Sequence, residues 1–199
     1  MTAKISGYPN GPLSFEGGEL RRQSGEKLAV QGKALCRCGG SKNKPFCDGT
    51  HSKIGFTDKN LADPEKDRRD TYAGKKITIF DNRALCAHAG YCTDGLKEVF
   101  RYGEEPWIAP DAAAVEKVIE TIRKCPSGAL SYAIDGVEGK APKGPPLVTV
   151  LDNGPYAVTG GIELAGDASR EHYTLCRCGQ SKNKPFCDGS HWDANFRDP

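Results

Sequence analysis

The sequence is poor in the residues that build one large core. Of its 199 residues 37% are hydrophobic, with one methionine and two tryptophans, while 24 glycines and 13 prolines occupy many of the other positions. Pieces of about 50–60 residues bury too little apolar surface to be comfortably stable, so metal ligation or docking of pieces is expected to supply the rest. Charge of one sign is also missing. Lys plus Arg number 28 against 26 Asp plus Glu, and the net charge of +2 gives no electrostatic footprint for duplex nucleic acid or an anionic membrane. No run approaches the roughly 18 apolar residues of a membrane span, and the stretch from Met1 to Phe15 lacks the basic-then-apolar pattern of a signal peptide. A soluble cytoplasmic protein is expected, with neither nucleic acid nor membrane as partner. There is no GxGxxG fingerprint, no P-loop and no nucleophile–base pair outside the cysteine and histidine clusters, so no enzyme is expected.

Cysteine, by contrast, is plentiful. Nine cysteines in tight clusters, in a compartment that keeps thiols reduced, read as metal ligation or redox chemistry and not as a disulfide framework. A search for repeats explains most of them. Leu35 to His51 reads LCRCGGSKNKPFCDGTH, and Leu175 to His191 reads LCRCGQSKNKPFCDGSH; only Gly40/Gln180 and Thr50/Ser190 differ. Upstream, Asn10-Gly11-Pro12 and Gly17-Gly18 recur as Asn153-Gly154-Pro155 and Gly160-Gly161. Leu13 and Phe15 in the first copy, and Tyr156 and Val158 in the second, alternate as short hairpin strands do.

Each copy offers three thiols and one imidazole: Cys36, Cys38, Cys47 and His51, then Cys176, Cys178, Cys187 and His191. The C-x-C step lets two neighbouring thiolates reach one centre, and Cys47 and His51, four apart, can converge from a loop entering a helix. Pro45 and Gly49 shape that loop, one fixing φ and the other tolerating positive φ. Asp48 and Asp188 are expected to hold the loop, not to take part in chemistry. Spacing alone leaves a structural zinc site and a two-iron cluster both open.

With C-x-C, Ser41, Pro45 and Cys47-Asp48-Gly49-Thr50-His51 in place, and the letters CDGSH at Cys187 to His191, both ends of the chain resemble the CDGSH iron-sulfur domain family, as tandem mitoNEET-like modules. The resemblance implies a 2Fe-2S cluster in each Cys3His set, two clusters in all. Family members often pair two such modules as homodimers, so the two copies here are expected to dock as an intramolecular pseudo-dimer, a monomer with internal pseudo-two-fold symmetry. Three thiolates and a neutral imidazole leave such a cluster at a formal charge of about −1, where four thiolates leave about −2. The potential is therefore expected between roughly −400 mV for plant-type ferredoxins and roughly −150 to +300 mV for Rieske centres. The protonatable histidine would couple reduction to pH.

Between the copies lies a different unit. Lys76 to Phe80 reads as a strand, and Val115, Val118, Ile119 and Ile122 follow a helical stripe with Asp111 as cap and Pro126 as stop. A second strand runs through Leu130, Tyr132 and Ile134. Cys86, Cys92 and Cys125-Pro126 preserve the frame of a bacterial ferredoxin motif with Ala89 in the slot of the second cysteine, and Ile77 to Tyr132 resembles the small single-cluster bacterial ferredoxins. That resemblance implies one 3Fe-4S cluster, or a 4Fe-4S cluster with a non-cysteine ligand; a scaffold that has lost its cluster stays open beside it. His88, next to the vacated slot, is either a ligand or a structural histidine.

The expected fold class is α+β, two small β-rich modules with an inserted ferredoxin-like domain: 1–60 the first CDGSH module, 61–74 a charged linker, 75–136 the ferredoxin-like domain, 137–146 a linker, and 147–199 the second module. The expected function is that of a non-enzymatic iron-sulfur protein in electron transfer, proton-coupled through its histidines, or in cluster transfer or sensing, with a redox or cluster-acceptor protein as partner. A structural zinc-binding interaction module is the alternative. Lys42, Lys44, Lys182 and Lys184 flank the motifs, either as a basic collar for an acidic partner or as ordinary solvated lysines.

Overall fold

The computed structural model describes residues 2–30, 32–141, 143–167 and 170–198. In chain order, β1 (Lys4–Gly7), β2 (Leu13–Glu16), β3 (Glu19–Arg22) and β4 (Lys27–Leu28) precede helix α1 (Thr50–Lys53). Then come β5 (Asp70–Ala73), β6 (Thr78–Asp81), helices α2 (Tyr91–Gly95) and α3 (Val115–Arg123), β7 (Leu130–Ile134) and β8 (Val137–Glu138). Strands β9 (Leu147–Val150), β10 (Tyr156–Thr159), β11 (Glu163–Leu164) and β12 (Tyr173–Leu175) follow. The chain divides into two units, Met1–Ala62 with Lys143–Pro199, and Asp63–Pro142.

In the first unit, strands of the two copies pair with one another. β1 pairs antiparallel with β2 and parallel with β11, while β3 pairs antiparallel with β4 and parallel with β9, in register Leu20 to Val148. The resulting five-stranded sheet runs β12-β10-β9-β3-β4. Alternation places Leu13 and Phe15 of β2 inward. In β10, however, Ala157 is buried along with Tyr156 and Val158, so both faces of this strand, which pairs with β9 and β12, are covered. Ile5, Leu13, Phe15, Leu20 and Leu35 from one end of the chain and Val148, Val150, Tyr156, Val158 and Leu164 from the other share one core. Neither copy contributes enough apolar side chains to close such a core alone.

The second unit has an antiparallel sheet in the order β5-β6-β7-β8 with α3 laid against β7. Its separate core gathers Ile77, Ile79, Val99, Phe100, Ile108, Val118, Ile122 and Leu130. The strand expected at Lys76 to Phe80 starts two residues later, at Thr78, and ends one later, at Asp81. Asp111 is not the cap of α3. It sits in a 3-10 turn, Pro110–Ala112, where its carboxylate accepts the Lys75 backbone N–H at 2.8 Å, and α3 starts after Ala114 without a side-chain cap. The proline that made Asp111 look like a cap starts this separate turn instead.

The two cluster loops meet backbone to backbone through an antiparallel bridge between Cys38 and Cys178. Glycine is required at the crossing: a Cβ on Gly39 would lie 2.3 Å from the Cys178 carbonyl oxygen, and one on Gly179 would lie 2.5 Å from that of Cys38, with φ at +77° and +81°. Gly39→Ala and Gly179→Ala should each cost more than about 2 kcal/mol, strain and overlap together, in urea denaturation. Gly25→Ala, at φ +92° with open space around it, should cost only about 1 kcal/mol.

Candidate metal centres

The four ligand candidates of each copy come as two pairs. Cys36 Sγ and Cys38 Sγ lie 3.6 Å apart, and Cys47 Sγ and His51 Nδ1 lie 3.3 Å apart. The second copy repeats this at 3.8 Å for Cys176 and Cys178 and 3.5 Å for Cys187 and His191. Metal–sulfur bonds of about 2.3 Å and metal–nitrogen bonds of about 2.0–2.1 Å give tetrahedral edges of roughly 3.8 Å for S to S and roughly 3.6 Å for S to N. Each pair spans one such edge. Among the described residues no group of three or more His, Cys, Asp or Glu side chains is set to hold a single ion. Two pairs, each matched to its own metal, fit a binuclear cluster with two protein ligands per iron.

Electrostatics point the same way. Burial, then the neighbouring thiols of Cys36 and Cys47, pushes Cys38 up to about 11. The hydrogen bond to Cys178, and then burial, drives Cys176 well above the ordinary thiol value, while Cys178 is lowered by receiving that bond. Ionising every thiol of a set needs positive charge among them, which a metal supplies.

The loops are built to hold this spacing. The Cys36 N–H donates to the Pro45 carbonyl at 2.8 Å, and the Cys47 N–H to that of Ala34 at 2.8 Å. Gly49 and Gly189 take φ of +85° and +87°, turning the chain toward the histidine. His51 lies on α1, four residues on from Cys47; the second copy makes the same approach through turns without an assigned helix. The backbone N–H of Lys42, and then Thr50, hold the Asp48 carboxyl well below the usual range. Asp188 accepts from Lys182 and Ser190 and is lowered despite its burial. Both aspartates thus brace the loop.

Of the flanking lysines, Lys42 and Lys182 are exposed, but Lys184 is buried and is not an ordinary solvated lysine. Its ammonium donates to the Ser181 carbonyl and faces the Phe56 ring at 6.0 Å, while Lys44 donates to the Ser41 carbonyl and faces Phe196 at 5.8 Å. Each lysine thus meets an aromatic ring of the other copy.

The residues that sequence reasoning missed are the arginines within the C-x-C steps. Arg37 Nε donates to the Gly11 carbonyl at 2.6 Å, and its Nη2 to the Tyr8 carbonyl and to Asp58, both at 2.7 Å. Arg177 donates to the carbonyls of Gly154 (2.8 Å) and Leu151 (2.9 Å) and grips Asp198 with both terminal nitrogens. The recurrence of Phe-x-Asp at Phe56 and Asp58, and at Phe196 and Asp198, was the available signal.

In the second unit, Cys86, Cys92 and Cys125 line one cleft of about 1470 Å³ together with Ala89, His88, Asp81, Arg83 and Trp107. The thiols influence one another: burial, then Cys86 and Cys125, pushes Cys92 up to about 11. His88 lies at the rim with φ +52°. The three thiols thus open on one cleft, with Ala89 in the slot of the second ferredoxin cysteine.

Comparisons with known proteins agree with this geometry. The family described as iron-binding zinc finger, CDGSH type, matches residues 10–52 and 153–192, and that described as divergent 4Fe-4S mono-cluster matches residues 72–135. Uncharacterized protein YjdI of Escherichia coli K12 is 44% identical over 61 residues, covering 31% of this chain and 80% of the relative, and its counterpart in Escherichia coli O157:H7 matches to the same extent. No solved structure matches. The chain is an iron-sulfur protein and belongs to the CDGSH family, with a divergent 4Fe-4S mono-cluster domain set between its two CDGSH copies. No helix among the described residues is long and apolar enough to cross a membrane.

Asp81, at the end of β6, is 2% exposed. Its Oδ2 pairs with Arg83 at 3.2 Å, while Oδ1 has no hydrogen-bond partner. Burial pushes this carboxyl up to about 6, against the pull of Arg83. A carboxyl whose folded pKa lies above the ordinary value of about 3.9 binds its proton more tightly when folded, so it weakens the fold as pH rises through about 6. Asp81→Asn should therefore gain about 1.4 kcal/mol on the parent between pH 5 and pH 7.5, read from urea midpoints at the two values.

Proposed function

We propose that each Cys3His set binds one 2Fe-2S cluster, Cys36, Cys38, Cys47 and His51 holding the first and Cys176, Cys178, Cys187 and His191 the second, and that the protein carries electrons or delivers clusters to an acceptor protein without being an enzyme itself. The observation that carries this reading is the pairing of the ligands at single tetrahedral edges. A cluster so held supplies one-electron redox chemistry. The protein's part is to place the thiols and the imidazole at that spacing and to set the net charge through its ligand set. Cys86, Cys92 and Cys125 hold a third centre, of 3Fe-4S or 4Fe-4S type, in the cleft that they line. The two CDGSH copies act as an intramolecular pseudo-dimer, in keeping with their shared core and paired strands. The cytoplasm is the compartment in which these thiols stay reduced.

Anaerobically purified protein should be coloured, with iron and acid-labile sulfide for at least two 2Fe-2S clusters per chain. Two equivalents of zinc without sulfide would show the structural zinc module instead. Oxidised protein should further give a 3Fe-4S signal in EPR, which Ala89→Cys should convert toward a 4Fe-4S cluster. If iron content is unchanged when Cys86, Cys92 and Cys125 are all replaced by serine, the middle unit is an empty scaffold.

A further inference from the structure

The two Cys3His sites share a ligand set but are not held equally. In each, the chain leaves the histidine ligand and returns to the C-x-C step: the Phe56 N–H donates to the His51 carbonyl at 3.0 Å, and two residues on Asp58 meets Arg37. Phe196, His191, Asp198 and Arg177 repeat the path. The aspartate–arginine contact is therefore a latch joining the Cys-His half of the ligand set to the Cys-Cys half. Opening it removes one tie between the halves and leaves the backbone bonds between Cys36 and Pro45 and between Cys47 and Ala34, with their counterparts in the second copy, to hold them.

The latches differ. Asp58 accepts one bond from Arg37, and its N–H donates to the Asn10 side chain at 3.2 Å. Asp198 accepts from both terminal nitrogens of Arg177 and from the Asn153 N–H at 3.1 Å, and its own N–H returns to Asn153 Oδ1 at 2.9 Å. A two-fold fork between guanidinium and carboxylate is among the stronger hydrogen-bonded contacts a protein makes. Surroundings widen the gap. The side chains of Arg37 and Asp58 are 7% and 31% exposed, against 1% and 18% for Arg177 and Asp198, so water screens the first pair more. Arg177 also faces the rings of Tyr156 (5.5 Å) and Phe196 (5.0 Å), whereas Arg37 faces Phe56 (5.6 Å) and has Leu13 at the position corresponding to Tyr156.

One neutral contact favours the first site instead, and it comes from the other copy. The Tyr156 hydroxyl, from the second copy, reaches the carbonyl oxygens of Cys36 (2.7 Å) and Pro45 (2.9 Å), and Leu13 has no hydroxyl with which to return the contact. We infer that the site of Cys36, Cys38, Cys47 and His51 is the exchangeable one, which gives up its cluster to an acceptor, while the site of Cys176, Cys178, Cys187 and His191 keeps its cluster. This rests on the proposal that both sets hold 2Fe-2S clusters.

The test uses full-length chains with one CDGSH site each. Cys176→Ser with Cys178→Ser leaves the first site, and Cys36→Ser with Cys38→Ser leaves the second. Cluster loss is followed by visible absorbance against an excess of an iron chelator, and cluster delivery by transfer to a four-cysteine apo-ferredoxin. The first site should release roughly tenfold faster, the order expected for a lost charge-assisted hydrogen bond. Asp198→Asn should bring the second site within about threefold of the first. Tyr156→Phe, which keeps the ring over Arg177, should quicken the first site and leave the second unchanged; the two single-site chains, with a native chain whose decay should be biphasic, decide the matter even where Asp198→Asn fails to fold. Clusters present at both sites but lost at one common rate, or faster from the second, overturn the inference alone. Absence of acid-labile sulfide from both proteins overturns the cluster reading and the inference with it.

Discussion

Everything in the first unit answers to the problem of placing three thiols and an imidazole together away from water. Cys36, Cys38, Cys176, Cys178 and Cys187 are buried, and burial with neighbouring thiols pushes Cys38 up to about 11. Burial of this kind disfavours thiolates that no positive charge meets, and a metal supplies that charge. A loop arranged so cannot draw stability from its own ligands before the metal arrives. It has to be held by what surrounds it: Arg37 and Arg177 bonded to backbone carbonyls of the Asn-Gly-Pro turns, Asp48 and Asp188 bonded to backbone N–H groups, and Ser41 and Ser181 bonded to the carbonyls of Phe46 and Phe186.

That requirement explains why the second copy matters to the first. Each copy is too small to bury a core of its own, and the shared core solves this by pairing β3 with β9 and β1 with β11. Pairing in turn brings the loops to the crossing at Cys38 and Cys178, which is close enough to exclude a methyl group from either glycine. The ligands are therefore fixed by contacts between residues some 140 positions apart, and the near-identity of the two motifs is what makes such a reciprocal contact possible.

The two Cys3His motifs were legible because they are local. Cys36 to His51 is a contiguous motif, and duplication doubles its signal. The helix α3 and strand β7 were legible for the same reason, since their periodicity lies within a few turns or pairs. What was not legible was decided by tertiary contact. Asp111 caps no helix because its carboxylate is taken by the Lys75 N–H across the fold. Lys184 looks solvated until the ring of Phe56 covers it. Arg37 reads as one more basic residue beside a motif, and only the structure shows its guanidinium buried and bonded through Nε and Nη2. The burial of Asp81 with an unpartnered oxygen likewise has no counterpart in the local sequence.

An inserted domain between two mutually dependent copies might be expected to threaten their pairing, and the entropy of closing the loop says how much. Closure cost grows as (3/2)RT ln n, so lengthening a connection from about ten residues to the roughly eighty of Asp63–Pro142 adds roughly 2 kcal/mol. Against this stand Ile5, Leu20, Val148, Tyr156 and Val158, all at most 1% exposed in the core that the copies share. Each fully buried large apolar side chain is worth about 1.5–3 kcal/mol, so one or two of them offset the insertion. The inserted unit also brings its own sheet and core, and needs no contact from the copies to explain its fold. A connection between paired modules therefore tolerates an inserted domain at small cost to their pairing.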